Sequence, residues 1–192
     1  MRQRQLLNGI TGALIICVFV TTHLYGQNAG SAGGKYKGSP FGDERVAAAP
    51  QVIPGKIICA YYDTGGQGVA YHDTSETNEG SGKLNPIDGS YLNGFRVKEG
   101  VDISYTKQLD FTPENIVDPD SIGALYVGWT DPGEWLNYTV DVKESGIYSI
   151  DFFYSAAVEA AISISIDGKD ETGLLKIPTT KSPHQWNRIN NI

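Results

Sequence analysis

Cysteine occurs twice and methionine once in these 192 residues, and so little cysteine excludes a disulfide framework. Cys17 sits in an apolar run and follows Ile16 rather than a small residue, which excludes a lipid-modified cysteine. Basic residues are also short, 15 Lys and Arg against 22 Asp and Glu, for a net charge of −7. A chain that acidic has no electrostatic reason to seek nucleic acid or anionic lipid. Long hydrophobic runs are missing too: ITGALIICVFV at 10–20 is too short to span a bilayer. No helical period is sustained, and DTGGQG carries no lysine and opens no helix, which excludes a phosphate loop.

What is present at the start reads as a leader. MRQRQ is a short basic region, the apolar run follows, and HLYG ends on a small residue, so residues 1–26 are expected to be a secretory signal peptide cut between Gly26 and Gln27. A signal anchor is the rival reading. Cleavage removes Arg2 and Arg4 and no acid, so the net charge moves from −7 to −9. Residues 27–51 are rich in Gly, Ala, Ser and Pro without a period, which is linker composition. The folded module is therefore expected over 52–192.

Short strands are predicted at 56–62, 94–97, 101–105, 124–128, 135–142, 146–154, 161–167, 174–178 and 184–189, divided by turn signals such as TDPG, ESG and DGKD. In WLNYTVDV, Leu136, Tyr138, Val140 and Val142 alternate with Asn137, Thr139 and Asp141, the period of a strand with one wet face, on which Trp135 would lie. AISISID alternates in the same way and runs into Asp167-Gly168, a hairpin signal. Many short antiparallel strands mean an all-β fold, a β-sandwich or jelly roll. The last strand has barely begun at Ile192, which predicts a C-terminally truncated fragment of a longer protein.

Five stretches in order carry a resemblance: IPGKIICAYYDTGGQGVAYHD at 53–73, GSGKLNPIDGSYLNGFRVKEGVDISYTK at 80–107, LYVGWTDPGEWLNYTVDVKESGIYSIDFFYS at 125–155, ISISIDGK at 162–169 and HQWN at 184–187. Together they resemble the family 6 carbohydrate-binding modules of bacterial glycoside hydrolases. The resemblance implies a noncatalytic β-jelly roll that binds polysaccharide, a plant or algal cell-wall glycan, and holds an attached enzyme at its substrate. It implies a monomer within a larger multidomain protein, secreted, periplasmic or on the bacterial surface, without nucleic-acid or membrane partners once the leader is cut. Relatives hold a structural calcium with acids where this chain has Ile58, Cys59 and Ala60. Calcium takes six to eight oxygen ligands, so no cofactor is expected here.

Relatives stack sugar on a tyrosine and a late-loop tryptophan, which brings Phe95 and Trp186 forward as platforms and Arg96 as a donor fork for hydroxyls, with Tyr91 as a further ring. The alternatives are core for Phe95, a salt bridge with Glu99 or Asp102 for Arg96, and for Trp186 no second platform at all, since Pro183 or His184 stands where the relatives' stacking ring often sits. Glu134 and Trp135 are candidates for a second, shallower face shared with residues 149–153; the alternative is that Trp135 caps the sandwich edge. Trp129, in the Gly128 to Gly133 turn, either wedges that turn or touches sugar. His72 and Asp73 match no metal-ligand spacing and read as a structural pair. Catalysis by this chain itself would need two carboxyls across a deep cleft, and an adhesin or spacer is the other alternative. If calcium is absent, a chelator leaves the melting temperature unchanged; a fall of many degrees in a thermal-shift assay would show a site built from other oxygens.

Overall fold

The computed structural model describes residues 2–6 and 17–23 by backbone, and residues 36–110, 115 and 122–190 in full. Fourteen strands follow one another: β1 (Arg2–Leu6), β2 (Cys17–His23), β3 (Gln51–Ile53), β4 (Lys56–Ile58), β5 (Tyr71–His72), β6 (Ile103–Tyr105), β7 (Leu125–Val127), β8 (Trp135–Val142), β9 (Ile147–Tyr154), β10 (Ala160–Ile162), β11 (Ser165–Ile166), β12 (Lys169–Asp170), β13 (Leu175–Ile177) and β14 (Asn187–Ile189). One sheet is built on β8, with β1 antiparallel along it, β3 parallel and β5 antiparallel at its start. The other runs β14-β9-β2-β4. Short ribbons β6-β7, β10-β13 and β11-β12 complete an all-β module, as expected. Among the described residues no helix is long and apolar enough to cross a membrane.

Of the expected leader, Arg2–Leu6 pairs with β8 and Cys17–His23 pairs with β9 and β4; the cleavage position lies outside the described residues. The expected linker is packed in its second half. Phe41 is in the core at 6 % exposure, and Ser39 exchanges two backbone hydrogen bonds with Thr64. A single aromatic ring among small residues suffices to dock such a segment.

The hairpin at Asp167-Gly168 forms as the sequence predicts. Both residues have positive φ, 51° and 79°, and join β11 to β12 through a two-residue turn. Residues 94–97, predicted as a strand, form a turn instead. Arg96 takes φ 48°, and Gly94 N–H donates to Ser90 O while Glu99 N–H donates to Arg96 O. A left-handed residue cannot continue a pleated strand.

The larger difference concerns β8, whose predicted wet face is dry. Asn137 and Thr139 are as buried as Tyr138 and Val140. The loop 63–70 lies along this strand and supplies its polar partners: Asp63 N–H donates to Asn137 O at 2.8 Å, and Asn137 N–H and Nδ2 donate to Ala70 O and Val69 O, each at 2.8 Å. The Asp63 carboxylate accepts from Thr139 N at 2.8 Å and Thr139 Oγ1 at 2.7 Å. Buried polar groups matched in this way leave little desolvation cost, and of the Asn137 side chain the amide nitrogen is matched while Oδ1 is not. Asp63→Ala strands two buried donors on Thr139 and is expected to cost about 3 kcal/mol in urea unfolding, whereas Thr139→Ser, which keeps both donors, costs about 1 kcal/mol.

Candidate functional site

Phe95 lies within the core at 3 % exposure, between Tyr91 (ring centroids 5.3 Å apart), Phe41 (5.5 Å) and Tyr61 (6.0 Å). It presents no ring face at the rim. Without the hydroxyl expected at this position in relatives, the ring has no polar tip to hold in water. Arg96 is equally closed, with a side chain 4 % exposed. Its guanidinium lies 3.4 Å over the Tyr62 ring, donates to Tyr62 O and Asp63 O, and forms a two-pronged pair with Glu99. The Tyr62 hydroxyl donates to the same Glu99 carboxylate at 2.9 Å. A fork so fully engaged has no donors for a sugar, and the Glu99 alternative is the one seen.

Trp186 is also buried, at 4 %. Its Nε1 donates to Asp110 Oδ1 at 3.2 Å, and its backbone N–H donates to Asn115 Oδ1 at 2.8 Å. Burial satisfies the indole, so its face is turned from solvent. Tyr126 touches it edge-on at 5.5 Å and also meets Trp129, ring centroids 6.4 Å apart. The late loop and the Gly128 to Gly133 turn are thus joined through one tyrosine, an arrangement that spacing alone does not reveal.

Trp129 is 37 % exposed, and among the described residues it is the one exposed aromatic ring. It holds φ 51°, a conformation that costs a non-glycine residue of order 1 kcal/mol and persists only where neighbours enforce it. They do so on both sides. Gly128 N–H donates to Asp102 O at 2.9 Å, and Asp131 N–H donates to Glu134 Oε2 at 2.8 Å. The other Glu134 oxygen accepts from Thr74 N at 3.0 Å and Thr74 Oγ1 at 2.7 Å. Glu134 therefore ties the turn to the loop after β5. Trp135 is half-buried beside His72, ring centroids 6.3 Å apart. The face expected between Trp135 and residues 149–153 does not form, because β8 and β9 belong to different sheets.

A cavity of about 220 Å³ lies at the edge of the Phe95 cluster, lined by Lys56, Ile58, Tyr61, Tyr91 and Leu92 with Gly123 to Leu125. It falls below the roughly 300–1,000 Å³ of drug-sized pockets, the scale of a single small ring. Tyr91, half-buried, lines it and donates its hydroxyl to Asp43 Oδ2 at 2.7 Å. Sequence reasoning missed Tyr61 and Lys56, since it took 56–62 as one strand; the chain leaves β4 for a 3-10 turn at Cys59–Tyr61. Two adjacent tyrosines at a strand's end were the available signal. In that turn Ala60 and Cys59 are buried and Ile58 faces the cavity, while Cys59 O accepts from the Tyr138 hydroxyl at 2.9 Å. These side chains offer calcium no ligand, so the residues present do not fit the relatives' metal. Among the described residues no group of three or more His, Cys, Asp or Glu is arranged to hold an ion. His72 pairs with Gln67 at 2.9 Å, and Asp73 accepts from Ser75 N–H and Oγ, which makes them structural groups.

Two acids behind the Trp129 turn are perturbed. Burial pushes Asp73 up from 3.8 to about 6, with Glu134 adding repulsion and the Ser75 hydrogen bonds opposing. Burial likewise pushes Asp102 up from 3.8 to about 7, reinforced by Asp73, Glu134 and Glu79 and opposed by the Glu79 N–H. An acid whose folded pKa is raised binds its proton more tightly in the native state. The stability these two acids contribute is then full below the unfolded value of 3.8 and is lost as pH rises past about 7. The expected melting temperature, by calorimetry, is higher at pH 5 than at pH 8, and Asp102→Asn flattens that slope.

Residues 103–192 match the family model described as carbohydrate binding module (family 6), and no curated protein matches the chain. The match takes in β6 to β14, including both ends of the Trp129, Tyr126 and Trp186 series. That match covers the C-terminal part of the all-β chain, which is similar there to carbohydrate binding module family 6, a family of noncatalytic domains that bind carbohydrate.

Proposed function

We propose that the module binds polysaccharide at the Trp129 turn and so keeps an attached glycoside hydrolase, secreted by a bacterium, at a plant or algal glycan. The observation that supports this reading is the exposure of one tryptophan ring in the region of the family match, held by hydrogen bonds on both flanks. A pyranose has an apolar C–H face that suits a flat ring, and the exposed carboxylate of Asp131, two residues further along the same turn, suits its hydroxyls. One stack that removes about 100 Å² of apolar area contributes about 2.5 kcal/mol at 25 cal/mol per Å². After the cost of association, that places a short oligosaccharide near the weak end of binding, about 1 mM. A polymer with many repeats raises retention by avidity, which is what a targeting module needs.

The burial of Phe95 and Trp186 favours a second reading, a spacer that keeps the sandwich without the grip. Affinity electrophoresis in gels of soluble xylan, mixed-linkage β-glucan and agarose separates the two. Retardation in at least one gel, weakened about tenfold or more by Trp129→Ala, supports targeting; unretarded migration of the folded protein in all three supports the spacer.

A further inference from the structure

The stretch GSPFGDERV at 38–46 has linker composition, yet it is laid against the aromatic cluster. Phe41 stacks on Tyr61 at 4.9 Å with an interplanar angle of 21°, the flat-on arrangement that a sugar ring adopts on an aromatic face. The same ring closes over Phe95 at 5.5 Å, and the Arg96 guanidinium lies 5.0 Å from it. Two charged neighbours occupy Tyr91: Asp43 takes its hydroxyl, and Arg45 lies 4.3 Å over its face. The strap therefore fills the apolar face, the hydroxyl and the second ring of one cluster at once.

Its attachments are light on the outer side. Asp43 and Arg45 are exposed, so both contacts with Tyr91 work in high dielectric and are screened by salt. Among the described residues the segment joins no strand; it is held by the paired hydrogen bonds of Ser39 with Thr64 and by Phe41 and Val46 packed against the core. It doubles back where a Cβ on Gly42 would come within 2.5 Å of the Ala48 Cβ, so the return depends on glycine. The cavity of about 220 Å³ opens against Tyr61 and Tyr91, the two rings that the strap also covers.

We propose that residues 38–46 form an autoinhibitory strap, in which Phe41 occupies the place of a pyranose on Tyr61 and Phe95 and a glycan gains this cluster only by displacing it. The strap rests on the carbohydrate-binding reading of the module and adds a second, covered face to the exposed Trp129. Apparent affinity for that face is reduced by the fraction of chains with the strap open.

The test uses the full chain, wild type beside Phe41→Ala and the surface double variant Asp43→Ala/Arg45→Ala, in the xylan, β-glucan and agarose gels. Opening the latch is expected to tighten binding to at least one polymer about fivefold or more. In the wild type, the same polymer should speed tryptic cleavage after Arg45. The double variant keeps Phe41, so a folding defect in Phe41→Ala does not obscure the result. Unchanged affinity in both variants, or cleavage at Arg45 as slow with polymer as without it, overturns the strap and makes Phe41 fixed core. If Trp129→Ala abolishes retardation while the latch variant gains nothing, the strap fails and the surface reading stands. A gain in the latch variant that survives Trp129→Ala supports the strap and removes the role given to Trp129.

Discussion

Asp63 is the constraint on which the rest depends. Its carboxylate clamps the backbone and hydroxyl of Thr139 in the longest strand of its sheet, and its N–H reaches Asn137 O on the same strand. Its carbonyl accepts from Arg96, and its neighbour Thr64 carries the Ser39 bridge. One buried residue thus ties β8, the turn that carries Arg96 and the N-terminal segment to a single point. A charged group at 2 % exposure is tolerable only with its oxygens occupied, and here both oxygens are.

From that point the two aromatic regions follow different rules. The Phe95 region is closed by neighbours on every side, with Arg96 and Glu99 locking Tyr62 and with Phe41 as its cover. The Trp129 region is held open by backbone geometry, since Asp102 and Glu134 fix a left-handed turn that keeps the ring out of the core. One site is buried by side-chain packing and the other is presented by main-chain hydrogen bonds. The buried acids Asp73 and Asp102 stand behind the presented ring, which links the support of that turn to proton binding.

The strand period was legible where residues speak for themselves. WLNYTVDV became β8 with the predicted bounds, and Asp167-Gly168 made the predicted hairpin turn. Alternation also placed Leu136, Tyr138 and Val140 inward correctly. It failed on the opposite face, since Asn137 and Thr139 read as wet while a loop some seventy residues earlier covers them. The site was less legible for the same reason. Phe95, Arg96 and Tyr91 came forward from resemblance, yet what covers Phe95 and Tyr91 is Phe41 and Asp43, in a segment whose composition reads as linker.

By itself the sequence determined the class of the fold, the bounds of β8 and the Asp167-Gly168 hairpin, because each of these rests on local periods and on turn residues that do not need distant partners. Only the tertiary structure decided which rings face water. Exposure is a property of what packs above a residue, and here the covering groups, Phe41 over Phe95, Asp110 under Trp186 and the 63–70 loop over β8, come from remote parts of the chain.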